Sequence, residues 1–239
     1  MKQHTFIFFQ KKKALYIISM FSIVLMCLSA PLAAESGGVV HSVLDAMQDF
    51  SASRRAVFSI KGVFATGVSS FWFYLVMPLA ASIPVASYIS DEWKCGFHQF
   101  EIMRAGSFAY MRTRLFYLLE SNAVILLAGM GIYLLAVCFY FHLYPDYMTE
   151  AERAGGAWDL ACSVAVRFGY LFLYSAAISL FIMILVRLYN DLFFDLSAAF
   201  VLNYLLRNWV MGESVIYPLV LFFVMLVLYV ITWKKGKKV

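Results

Sequence analysis

The 239 residues are 63% hydrophobic and only 14% charged, with mean hydropathy +0.80. A soluble domain is about 45–50% apolar and about 25% charged, so a water-soluble fold is excluded and the solvent for this surface must be lipid. The net charge of +5 matters less than where each Lys and Arg falls. The cysteines Cys27, Cys95, Cys138 and Cys162 form no CxxC pair and no Cys/His cluster. Neither a zinc nor a redox motif is signalled, and each cysteine reads as a small buried apolar residue.

In chain order, Phe6-Ile7-Phe8-Phe9 followed by Lys11-Lys12-Lys13 suits an interfacial segment at an anionic leaflet. A first span is expected over residues 14–34. Its basic start, apolar core and small residues at 29–34 also fit a cleavable secretory signal. Residues 35–70 form the first external region, where Val40, Val43, Leu44 and Met47 recur at helical spacing and predict a short amphipathic helix. Gly62 and Gly67 have the spacing of a phosphate loop, but Val68-Ser69 stands where that loop needs Lys-Ser/Thr, so no nucleotide site is assigned. The second span, residues 71–89, carries Pro78 and Pro84 among several Ala and Ser. Prolines free backbone groups that neighbouring helices must satisfy, which predicts a kinked helix inside the bundle. Further spans are expected over residues 115–143, 161–186, 192–211 and 215–233, giving one transmembrane domain for the whole chain.

Six spans put both termini on one side. That side holds thirteen of the 19 basic residues, Arg187 and the Lys234–Lys238 cluster among them, while Arg54, Arg55, Lys61, Arg153, Arg167 and Arg207 fall opposite. The basic-rich side reads as the cytoplasm of a bacterial inner membrane.

The longest polar interruption is residues 90–114, SDEWKCGFHQFEIMRAGSFAYMRTR. Phe97, Phe100, Glu101, Arg104, Phe108 and Met111 mix apolar and charged positions at three- and four-residue spacing. A helix there would bury aromatics in the headgroup boundary or in a protein groove and keep its charges in water. A proline-containing, small-residue helix leads into Ser90-Asp91-Glu92. Gly96 follows, then Arg104, Tyr110 and Arg114 before the next span. This resembles the permease subunit of type-2 ABC transporters of the exporter kind, over nearly the whole chain. Members of that family often have a proline before the basic residue, where this chain has Ile102-Met103.

The resemblance implies an all-α polytopic membrane protein with six transmembrane helices, an N-terminal interfacial segment and a cytoplasmic coupling helix. It implies Glu92, Gly96, Glu101 and Arg104 as the partner-coupling residues. It also implies a cytoplasmic ABC ATPase subunit as partner, a second permease copy or a related permease, and ATP with Mg²⁺ bound only by the ATPase. No cofactor, metal or nucleic acid is assigned to this chain.

Glu120, the one acid well inside a span, and nearby Asn122 are candidates for a polar route or an inter-helix pair. The other reading of Glu120 is a headgroup-level carboxylate paired with Arg114 or Lys94. Asp191 and Asp195 read as structural at a helix start, and Arg167 as snorkelling outward or paired with Asp159. No HExxH, GxSG or intramembrane acid–His pairing is present, so catalysis by the chain is not expected. Two other functions stay open: a non-transporting immunity or assembly protein acting through the same loop, and an intramembrane enzyme with unrecognised residues.

Overall fold

The computed structural model describes residues 12–33, 40–43, 60–143, 157–189, 191–210 and 216–235. Among them lie eight helices and one two-stranded ribbon. In chain order these are α1 (Lys13–Leu28), β1 (Pro31–Ala33), β2 (Val40–Ser42), α2 (Ile60–Val68), α3 (Phe71–Lys94), α4 (Phe97–Ala105), α5 (Ser107–Leu143), α6 (Ala157–Tyr189), α7 (Leu192–Val210) and α8 (Ile216–Lys235). Four stretches are long and apolar enough to cross a membrane: Phe71–Lys94, Ser107–Tyr140, Trp158–Tyr189 and Ile216–Trp233. The apolar helices Lys13–Leu28 and Leu192–Leu206 are shorter. The chain is a helical membrane protein.

The first expected span differs. Its helix stops at Leu28 rather than continuing to residue 34, because Pro31 disfavours helical backbone at the residue before it. Ser29 N–H donates to Leu25 O and Ala30 N–H to Cys27 O, closing the last turn. The chain then forms β1, which pairs antiparallel with β2, Leu32 opposite His41. Val40 therefore sits in a strand and not in the expected amphipathic helix. Val43 is buried behind it, and Leu44 and Met47 lie outside the described residues. Gly62 and Gly67 belong to α2, so their spacing makes no loop. Gly67 instead lets α2 lie against the Tyr133 ring, whose hydroxyl donates to Val63 O at 2.9 Å.

The bundle is built around α3 and α6, the most enclosed of the long helices. α3 packs on α1, α5, α6 and α7, and α6 also packs on α8. α5 and α8 turn broad apolar faces outward, with Leu135, Phe139, Phe223 and Val227 more than half exposed, as lipid contact requires. α1 approaches α5 closely at Gly129, where an added Cβ would lie 2.7 Å from Ile23 Cγ2. Cys27 is buried and Cys138 half-buried as expected of apolar fillers, but Cys95 and Cys162 are exposed.

Both prolines sit inside a continuous α3. Pro78 has no N–H for the carbonyl of Tyr74 one turn back. Asn203 on α7 supplies the missing donor: its Nδ2 lies 3.2 Å from Tyr74 O and 2.8 Å from Leu75 O. Tyr174 on α6 donates its hydroxyl to Asn203 Oδ1, so one amide joins α3, α6 and α7. Asn203→Leu is expected to cost about 1–3 kcal/mol, the cost of leaving a buried carbonyl unsatisfied. Pro78→Ala in that background restores an N–H to Tyr74 O and is expected to recover part of the loss. Thermal unfolding of the parent, Asn203→Leu, Pro78→Ala and the double variant in detergent checks this; strictly additive effects would break the link.

Candidate functional site

Residues 90–114 fold as a helix, a turn, a short helix, a second turn and the start of α5. α3 runs on to Lys94, five residues past the expected span end, and Gly96 N–H closes onto Trp93 O at 3.2 Å. Gly96 then takes φ +68° and leads into α4. Past the nine residues of α4, Gly106 takes φ +83°, its N–H bonded to Ile102 O at 2.9 Å. An added Cβ would meet nothing within 4 Å at either glycine. The requirement is therefore for left-handed backbone, which side-chain-bearing residues disfavour, and the two glycines set α4 off from both long helices.

The inner side of α4 is held by charge. Arg114, two turns into α5, is buried with 4% of its side chain exposed. Its Nη2 lies 2.6 Å from Glu92 Oε1 on α3 and 3.1 Å from Glu101 Oε2 on α4. Tyr110 donates to the other Glu92 oxygen, Oε2, at 3.2 Å. The guanidinium carbon sits 4.7 Å from the Tyr110 ring centroid and 5.5 Å from those of Tyr88 and Tyr117, an aromatic collar that favours a cation over its faces. Three consecutive helices are thus pinned by one guanidinium.

Neighbouring contacts gather other helix ends at the same end of the bundle. Lys12, ahead of α1, places Nζ 2.8 Å from Asp91 Oδ2 and 2.9 Å from Ser87 Oγ. Trp93 stacks on His98 with centroids 3.9 Å apart. Trp233 on α8 stacks on Tyr110 and donates its indole N–H to Ser107 Oγ. At the opposite end Lys61 pairs with Asp159 at 2.7 Å, and Arg167 donates to Ser69 Oγ at 2.6 Å. Asp159 is therefore the partner of Lys61 and not of Arg167.

The four expected coupling residues divide into three roles. Glu92 and Glu101 face inward onto Arg114, Gly96 makes the turn, and Arg104 is exposed. The outer side of α4 carries Phe97, Phe100 and Met103, with 49%, 65% and 74% of their surface exposed. Glu120 and Asn122 part company, since two residues along a helix turn through about 200°. Asn122 is buried and accepts from Ser175 Oγ at 2.7 Å and Ser179 Oγ at 3.2 Å, binding α5 to α6. Glu120 lies on the exposed side of α5. Arg114, engaged with Glu92 and Glu101, is not its ion-pair partner. Asp191 caps α7 by accepting from Phe193 N–H at 3.0 Å, and Asp195 is fully buried one turn on.

Sequence reasoning missed Arg114 as the centre of this site and Asn203 as the partner of the Pro78 gap. For Arg114 the available signal was the last cation before an apolar run, with Tyr110 and Tyr117 within about one turn of it on either side. No family model, curated protein or solved structure matches the chain.

Removing one member of a buried ion pair strands the other charge, at roughly 3–5 kcal/mol. Arg114→Met and Glu92→Met are each expected to lower stability by about that much. The double variant is expected to be closer to the parent than either single one. Glu101→Gln, at the more exposed edge of the cluster, is expected to cost about 1 kcal/mol. Detergent melting curves read all four; a Glu92→Met variant as stable as the parent would remove the clamp from the account.

Proposed function

We propose that the chain is the membrane-spanning permease subunit of an ATP-driven exporter of the type-2 ABC class. In this reading α1, α3, α5, α6, α7 and α8 make six spans with both termini in the cytoplasm. A cytoplasmic ATPase subunit seats against the outer side of α4, and a second permease copy or a related permease completes the transporter. The reading rests on one observation: α4 is bolted on its inner side to both flanking helices through Arg114, while its outer side presents Phe97, Phe100, Met103 and Arg104.

A push on a loose surface helix dissipates in the loop. A push on α4 is carried by Glu101 to Arg114, and from Arg114 to α5 and, through Glu92, to α3. Closure of ATPase subunits on ATP would thereby bias the spans between two arrangements. ATP and Mg²⁺ belong to the partner, and this chain contributes position and motion. In this reading Glu92 and Glu101 transmit, Gly96 orients α4, and Phe100 and Arg104 make the contact.

The experiment is co-purification from gently solubilised membranes with the products of neighbouring genes. A stoichiometric soluble ATPase is expected. Phe100→Asp and Arg104→Glu are expected to reduce its recovery by about tenfold or more, as loss of a central anchor does, with the chain's own yield and melting unchanged. A homo-oligomer without ATPase would transfer the same surface to a non-transporting immunity or assembly role, and full ATPase recovery in both variants would remove the outer side of α4 as the ATPase's seat.

A further inference from the structure

The half of the bundle away from the Arg114 cluster carries a feature that the transport reading does not use. α5 and α6 are tied together where Asn122 meets Ser175 and Ser179. Beyond that tie they part, and a groove of about 480 Å³ opens between them. Leu127, Gly131 and Leu134 form one wall, and Ala161, Ala165 and Phe168 the other. Leu127 is 58% exposed and Ala161 and Ala165 are exposed, so the groove opens sideways, out of the bundle. Gly129 is accounted for by the close approach of Ile23, but a Cβ added at Gly131 would meet nothing within 4 Å. No close helix contact among the described residues requires Gly131, and the side chain it lacks is groove volume.

None of the nine lining residues carries a polar side chain. A site for a polar solute needs a few placed polar groups to orient it, and this groove has none. Depth narrows the choice further. Ala161 lies two residues inside Asp159, whose ion pair with Lys61 marks the water-facing end of α6. From Ala161 to Phe168 is about 10 Å of helix, as it is from Leu127 to Leu134. One leaflet of hydrocarbon is about 15 Å deep, half of a core about 30 Å thick. The groove thus begins just under the headgroup level and ends before mid-membrane. A helix of a second copy would run the full thickness, whereas the Asn122 tie closes the seam below the groove. A lipid tail has the direction, the length and the chemistry, being as apolar as Leu. Packed proteins leave few voids larger than a water, so a groove of this size in hydrocarbon is filled.

We propose that this groove holds one acyl chain of a phospholipid from the leaflet opposite the Arg114 cluster. The acyl chain enters from the side, takes the place of the side chain that Gly131 lacks, and wedges α5 from α6 beyond the Asn122 tie. The inference depends on the protein's crossing a membrane, and not on transport or on any partner of α4.

The test uses the full-length protein in a mild detergent. Native mass spectrometry is expected to show one phospholipid retained per protein. Ala165→Phe and Gly131→Leu each fill the groove, and each is expected to lower that occupancy about tenfold or more with Tm unchanged or higher. Val227→Phe, at an exposed position on α8, is expected to keep it. Phosphatidylglycerol added to delipidated protein is expected to raise Tm saturably by roughly 2–4 °C in the parent and not in the filled variants. Crystals grown with a phospholipid brominated on its acyl chain are expected to give an anomalous peak between Gly131 and Ala165. No retained phospholipid, equal retention in both filled variants, or a bromine peak only elsewhere would overturn the proposal. So would a dimer that Ala165→Phe dissolves, which would give the groove to a second copy.

Discussion

A guanidinium removed from water holds one end of this bundle together. Arg114 has 4% of its side chain exposed and meets two carboxylates from two other helices. Charge buried at this depth is tolerable only when paired and hydrogen-bonded, so α3, α4 and α5 are not free to separate one at a time. The glycine turns at 96 and 106 set α4 apart from the long helices, and the ion cluster sets its position against them. The outer side of α4 is left with aromatic and sulfur-bearing side chains and one cation, the mixture enriched at protein interfaces.

Elsewhere the bundle uses neutral polar pairs. In lipid there is no hydrophobic drive between helices, and small residues with interhelical hydrogen bonds supply specificity. Asn122 with Ser175 and Ser179 joins α5 to α6. Asn203 joins α7 to α3 at the carbonyl that Pro78 leaves without a donor. Placing a proline and its remedy 125 positions apart in sequence fixes the register of α7 against α3 more tightly than apolar contact alone. Close approaches at Gly67 and Gly129 do the same for α2 and α1.

Much of the architecture was legible in the chain. Long apolar runs located α3, α6, α7 and α8 to within about five residues, and α5 at its end but not at its start, which lies at Ser107 rather than 115, since a helix in lipid must satisfy its own backbone. Residues 90–114 were recognisable as a helical interruption by their spacing. Boundaries were less legible where polar residues continue a helix, as from Ser90 to Lys94, because helix propensity and hydrogen bonding do not stop at the membrane face. The region before α3 was legible least. Val40 lies in a strand opposite Ala33, a pairing that a helical periodicity count cannot represent. α2, within the expected external region, is held by contacts with α1 and α5.

By itself the sequence determined that the solvent is lipid, that the chain crosses it as helices, and that its basic residues are lopsided. These follow from composition and local order, which each segment carries alone. Only the tertiary structure decided that Glu92 and Glu101 face inward while Arg104 faces out. Those residues share one polar stretch, and their orientation depends on where Arg114 sits on a different helix. The same reason separates Glu120 from Asn122: a charge's role is set by what other helices place against it, which spacing along one helix does not record.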